Sequence, residues 1–333
     1  MQHRTPAART LAVLSALTAV TLGSSALAQS PADAWPAKPV AIVVPTNPGG
    51  STDLEGRLYA QKLSEGTGKT FLVDFKPGAG NAIGSAYVAK AAPDGYTLLL
   101  MSPSSLLSPL VYPEMAPDPV RDFAHVSLMS KRPSLILAHP GLPANNLREF
   151  LAYAKANQDK VNIGTAGAGS VGHLAVEWLY GTAGAKVTFV HYKGGGPAAA
   201  ALIANQIHST IGSPGAVLAQ VKAGKLKILA VTTTERIKLL PDVPTAAESG
   251  APSFEYVQWL GFVAPAGTPA PIVNKLAGEL LKVSKSPDVA QRFANDGILM
   301  IGNTPEQFRQ YVITESARWS KLVKDTGIKL NAD

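Results

Sequence analysis

Val40-Ala41-Ile42-Val43-Val44-Pro45-Thr46-Asn47-Pro48-Gly49-Gly50-Ser51-Thr52-Asp53 passes from a β-branched run, through a Pro/Gly turn, into residues that open a helix. The first five residues suit a strand, and the turn residues end it. A helix is expected over about residues 52–65. The same order then recurs. Phe71–Phe75 reads as a strand ahead of Pro77-Gly78-Ala79-Gly80, a helix over about 82–91 and a third strand over 96–101. It restarts with a strand at 161–165, the turn Ala166-Gly167-Ala168-Gly169-Ser170 and a helix over about 171–180. A strand at 187–192 leads through Gly194-Gly195-Gly196-Pro197 into a helix ending near Ile203, and 207–211 and Lys227–Val231 are further strands. This rhythm predicts an α/β protein with mostly parallel sheets and helices on their faces.

The chain has 333 residues, enough for about two domains. Apolar residues make up 46% and charged residues 16%, which excludes a disordered charged tail. Net charge is +7, and no nucleic-acid partner is expected. The absence of cysteine excludes disulfides, cysteine-held zinc, iron–sulfur clusters and a cysteine nucleophile. Residues 1–28 read as a secretory signal. Arg4 and Arg9 give a positive start, Leu11 to Leu22 an apolar core, and Ala26-Leu27-Ala28 a small-x-small cleavage site. The apolar run is short for a membrane span. The mature protein is therefore expected to be soluble in a bacterial periplasm.

Two segments, about 126–138 and 256–264, read as connections between lobes. The expected division is a signal peptide at 1–28, one lobe from 29–130 plus 263–333, and a second from 131–262. Near the C-terminus, Ser286-Pro287 and Thr304-Pro305 each place a hydroxyl before a proline suited to a first helical position. Gln307 completes a capping box with Thr304. Phe308, Tyr311, Val312, Trp319, Leu322 and Val323 then share one helix face, as core packing requires.

Catalytic patterns fail on inspection. Gly68-Lys69-Thr70 resembles a P-loop end, but Leu63 stands where its first glycine belongs, and the tripeptide follows a helix. Gly167-Ala168-Gly169-Ser170-Val171-Gly172 fits G-x-G-x-x-G, yet the next strand, Val190-His191-Tyr192-Lys193, lacks the acidic residue a dinucleotide site needs. Ala168-Gly169-Ser170-Val171-Gly172 resembles a nucleophile elbow. Between Ser170 and the last histidine, His208, the only acid is Glu177, one turn past His173 on the same helix. The six histidines show no metal spacing, and neither metal nor cofactor is expected.

What remains is a feature of two loops. Asn47–Asp53 and Thr165–His173 each bring Gly-rich backbone and hydroxyls to a helix start, where free N–H groups favour an anion. Neither loop carries Arg or Lys. A carboxylate gripped from both sides would be held by N–H groups, hydroxyls and water. Spacing alone equally allows both loops to be plain βα turns.

A family resemblance rests on ordered motifs: Pro48-Gly49-Gly50-Ser51-Thr52-Asp53, Lys76-Pro77-Gly78-Ala79-Gly80, Ala92-Pro93-Asp94-Gly95-Tyr96-Thr97-Leu98-Leu99, Gly169-Ser170, His173-Leu174-Ala175 and Tyr192-Lys193-Gly194. They continue through Ala223-Gly224-Lys225-Leu226, Leu240-Pro241-Asp242-Val243-Pro244-Thr245 and Ala264-Pro265-Ala266-Gly267-Thr268-Pro269. Over nearly its whole mature length the chain resembles the extracytoplasmic solute receptors of tripartite tricarboxylate transporters, the Bug receptor family. The resemblance implies a two-lobed flytrap of the periplasmic-binding-protein type 2 fold, joined by two crossing strands. It implies a monomer that binds a small organic acid, makes transient contact with transporter membrane subunits and does no catalysis. Ser51, Thr52, Thr165 and Ser170 carry over as direct donors, with Ala168 and His173 in the second loop and Asp53 orienting the first.

Two positions depart from the family. Many members have an aromatic residue at Thr46 and an asparagine near Ser213. Both departures remove bulk where the far end of the ligand is expected, beside Asn47. They point to a roomier pocket for an aromatic or extended dicarboxylate whose far end accepts hydrogen bonds. The alternatives are an exported hydrolase using Ser170 or His173, and a receptor that only signals to a membrane kinase.

Overall fold

The computed structural model describes residues 34–49, 51–168, 170–294 and 296–327. The expected signal peptide lies outside them. The first lobe begins with β1 (Val40–Val44), α1 (Ser51–Thr67) and β2 (Phe71–Phe75). A 3₁₀ turn (Ala79–Asn81), α2 (Ala82–Ala89), β3 (Thr97–Met101) and α3 (Pro103–Val111) follow. β4 (Phe123–Pro133) runs into β5 (Leu135–Ala138) with only Ser134 between them.

The second lobe holds α4 (Leu147–Ala156), β6 (Asn162–Thr165), α5 (Val171–Thr182) and β7 (Thr188–His191). It continues with α6 (Gly195–Ile203), β8 (Ser209–Gly212), α7 (Pro214–Lys222) and β9 (Lys227–Val231). β10 (Val257–Pro265) returns to the first lobe, which ends with α8 (Ala270–Ser284), α9 (Pro287–Ala294), β11 (Leu299–Met300) and α10 (Pro305–Thr326).

The first sheet has the order β11-β4-β10-β3-β1-β2 and the second β7-β6-β8-β5-β9. β1 is parallel to β2 and β3, and β6 to β7 and β8. The remaining pairs are antiparallel: β10 with β3 and β4, β11 with β4, and β5 with β8 and β9. Both sheets are therefore mixed, not mostly parallel as the βα rhythm suggested. The reason is the crossing: a strand that leaves one sheet for the other, and one that returns, enter against the direction of the βα units.

α1 forms because Leu58, Tyr59 and Leu63 fall on one buried face while Arg57 and Leu54 stay outside. Gly56 lets that helix lie close on β1, since a Cβ there would sit 3.0 Å from Val44 Cγ2. One apolar layer packs α1 and α8 on the first sheet. A second runs continuously from Leu106 and Phe308 of the first lobe to Phe150 and Tyr180 of the second. α10 spans this junction, packing on β4, α3 and α8 and reaching α5. Its expected capping box between Thr304 and Gln307 is present.

Candidate ligand-binding site

The first loop is held from within. The Asp53 carboxylate is buried and turns back on its own loop. Oδ2 accepts from Gly49 N at 2.8 Å, and Oδ1 accepts from Arg57 Nε at 2.6 Å. Gly49 sits at φ +90°, which a side chain would strain. Thr46 turns to the inter-lobe cavity, and its hydroxyl is buried without a protein hydrogen-bond partner. Thr52, in the first turn of α1, also lines that cavity.

The second loop is held by side-chain-to-backbone bonds. Ser170 is the N-cap of α5; its hydroxyl donates to Gly167 O at 2.8 Å and accepts from His173 N at 3.1 Å. The hydroxyl of Thr165, at the end of β6, lies 2.7 Å from His191 Nδ1. The His191 ring meets the edge of His173, with centroids 4.5 Å apart. Burial, helped by His191, lowers the His173 pKa to about 4. The ring is therefore neutral near pH 7, and its 3.2 Å contact with Glu177 is a hydrogen bond rather than an ion pair. Ser170 meets the backbone of His173 and not its ring, so this arrangement hands the hydroxyl no base.

Both loops open on a cavity of about 630 Å³ between the lobes. Other βα junctions add Ser102, Pro103 and Ser104 at the start of α3, Gly195 and Gly196 at α6, and Ser213 at α7. The hydroxyls of Ser102 and Ser213 do not cap their own helices, although both residues are N-caps. Helix starts from both lobes thus face one space, each with partial positive charge. The crossing segments supply Ser130, Arg132, Ser134, Tyr256 and Gln258. Among the described lining residues no side chain is acidic, and Arg132 is the sole charged one. Among the described residues no group of His, Asp and Glu is placed to hold a metal.

Of the residues the sequence singled out, Thr46, Thr52, Thr165, Ser170 and Ser213 are brought together on the wall. Asn47, Asp53, Ala168 and His173 do not line it. Ser51 opens α1, and its side chain lies outside the described part of the chain. The loops carry no cation, as read, but the crossing strand does. Arg132 pairs with the buried Glu55 of α1, whose carboxylate also accepts from Ser130 Oγ at 2.6 Å and Tyr59 OH at 2.9 Å. Burial and the Glu55 charge push the Tyr59 pKa well up, which keeps its hydroxyl a donor. Sequence reasoning missed Arg132 and Ser102. Ser102-Pro103 carried a signal, a hydroxyl and a proline directly after a strand; Arg132 carried none.

The pattern of the tripartite tricarboxylate transporter family receptor matches residues 56–328. The R. palustris protein Rpa4515, solved with adipate, is 34% identical and superposes with a TM-score of 0.78, covering 88% of this chain and 99% of that one. The periplasmic binding protein BugD is 35% identical at a TM-score of 0.76, covering 89% and 99%. MatC from Rhodopseudomonas palustris, with bound malate, is 33% identical at 0.75, covering 87% and 100%. With two mixed-sheet lobes, two crossing strands and a family pattern over most of its length, this chain belongs to the tripartite tricarboxylate transporter receptors, a family of periplasmic solute-binding proteins.

Proposed function

We propose that the protein captures a small organic carboxylate between its lobes and passes it to the membrane subunits of a tripartite transporter. One observation carries this reading. Helix starts from both lobes and a ring of hydroxyls enclose a cavity with no acidic wall residue among those described and a single arginine. Such a site attracts an anion and has nothing to repel it. The carboxylate sits between the two loops, with Ser51, Thr52 and Thr165 as donors together with backbone N–H groups near Ala168 and Ser170. Asp53 and His173 act from behind, by shaping their loops.

Thr46 and Ser213 bear on the far end of the ligand; Asn47, expected beside them, is exposed and off the cavity wall. The unpartnered Thr46 hydroxyl and the cavity volume support a ligand longer than a four-carbon diacid. In this reading the lobes divide at Ser134, where β4 passes to β5, and ahead of Val257, where β10 begins, a few residues from the expected 130/131 and 262/263; the monomer works after cleavage behind Ala28. Export is supported by the signal pattern, and among the described residues no helix is long and apolar enough to cross a membrane. No enzymatic step is proposed.

The test is a thermal-shift screen with free carboxylates against their methyl esters. Free acid at a hundredfold excess over its Kd stabilises the folded state by about 2.7 kcal/mol, which is several degrees in Tm. No shift with any acid, or equal shifts with the esters, overturns the reading.

A further inference from the structure

The charged pair at the floor of the cavity is unused by the two-loop grip. Glu55 is 1% exposed and Arg132 7% exposed. They come from different elements, α1 and β4, and lie 77 residues apart in the chain. A buried ion pair contributes little net stability over an apolar pair of similar shape. Its position is more telling than its presence. Arg132 lines the cavity and Glu55 does not. Glu55 therefore stands behind Arg132, where its carboxylate is fixed by the Ser130 and Tyr59 hydroxyls as well as by the guanidinium. A carboxylate held by that many donors cannot swing toward the ligand. It locks Arg132 in one rotamer and stabilises its charge.

Resting on the carboxylate reading above, we infer that Arg132 receives a second, distal anionic group of the ligand, with Glu55 as its positioning residue. The chemical class is a dicarboxylate, with one carboxylate in the two Gly-rich loops and the other on the guanidinium. Three points favour this over a structural pair. Arg132 is the sole charged side chain among the described lining residues. It sits on the wall built by the crossing strands, distinct from the walls built by the loops. Its neighbours there, Ser130, Ser134 and Gln258, are polar but uncharged, so on this wall the charge offered to a second anion is that of Arg132. A guanidinium already oriented by Glu55 loses little entropy on meeting a carboxylate, and its planar fork suits one.

The experiment compares matched acids by calorimetry: adipate against hexanoate, and terephthalate against 4-methylbenzoate. The parent is expected to favour each diacid. Arg132→Met alone would leave Glu55 charged and unpaired in the interior, so the informative variant is the double substitution Glu55→Gln with Arg132→Met. It removes both charges together. In a double variant that melts cooperatively, diacid affinity is expected to fall about ten- to a hundredfold more than monoacid affinity, the worth of a hydrogen bond to a charged group. Arg132→Lys should recover part of the preference, because it keeps the charge without the fork. Equal losses for diacid and monoacid, or a parent that binds monoacids as tightly as diacids, would overturn the role of Arg132 and leave the carboxylate receptor standing. A parent that binds none of the four acids removes both.

Discussion

At the scale of single residues, hydroxyls do most of the shaping, and they do it in two ways. Some face the cavity, as Thr46 does. Others spend their hydrogen bonds on the backbone that carries the loop. Ser170 is the clearest case of the second kind, with one bond given to Gly167 O and one received from His173 N. The sequence marks it as a donor to the ligand, and in the structure its hydroxyl lies on the cavity wall, 2.8 Å from Gly167 O. Ser170→Ala is therefore expected to destabilise the protein by about 1 kcal/mol, a lost N-cap. It should weaken carboxylate binding through a looser loop, and Ser170→Asn should restore stability by capping again. Urea unfolding of the three proteins checks this. An alanine variant with unchanged stability and weakened binding would instead make Ser170 a direct ligand donor.

At the scale of elements, legibility followed local punctuation. β1, β2 and β9 were readable to the residue, the first two because apolar runs stop at Pro45 and at Lys76-Pro77. α10 was readable because Thr304, Pro305 and Gln307 form a start signal within four residues. What could not be read depends on partners distant in the chain. The direction of β4 and β10 is set by the crossing between sheets, and Arg132 gains its meaning only beside Glu55. The same holds for Thr232, which looks like any threonine after a strand. It is fully buried at the junction of the crossing segments. Its hydroxyl accepts from Ser134 N at 3.0 Å and donates to Tyr256 O at 2.5 Å, and its backbone N donates to Ser134 O at 3.0 Å. One side chain thus ties the outgoing strand to the returning one. Thr232→Val keeps the shape and strands the buried Ser134 N–H, so a loss of about 1–3 kcal/mol is expected. Hydrogen exchange should localise it as faster exchange at Ser134 and Tyr256. An unchanged unfolding midpoint would show that the tie contributes nothing.

At the scale of the whole molecule, affinity depends on how easily the lobes come together as well as on what lines the cleft. A receptor whose competent, closed form is only partly populated binds more weakly by that fraction. Away from the ligand loops, the lobes meet where α7 of the second faces the turn between α9 and β11 of the first. A Cβ at Gly297 would lie 3.3 Å from Pro214 Cγ, and one at Gly215 would collide with the Asp296 carboxylate. Glycine at 215 thus leaves the Asp296 carboxylate where it stands, although it is a poor helix former. Gly215→Ala sets the two effects against each other. Within the second lobe it improves the first turn of α7, by up to about 1 kcal/mol. Between the lobes it forces the exposed Asp296 side chain aside, at a cost of about 1 kcal/mol. The ligand-free variant should therefore melt no lower than the parent, while its carboxylate affinity falls about tenfold for each 1.4 kcal/mol placed on the closed form. Adding Asp296→Ala frees the space and should return the affinity toward the parent value. Calorimetry on the parent, the single and the double variant reads all three quantities. If Gly215→Ala binds as tightly as the parent, closure does not pass through this contact. If affinity falls and Asp296→Ala fails to rescue it, the loss comes from α7 itself and not from the approach of the lobes.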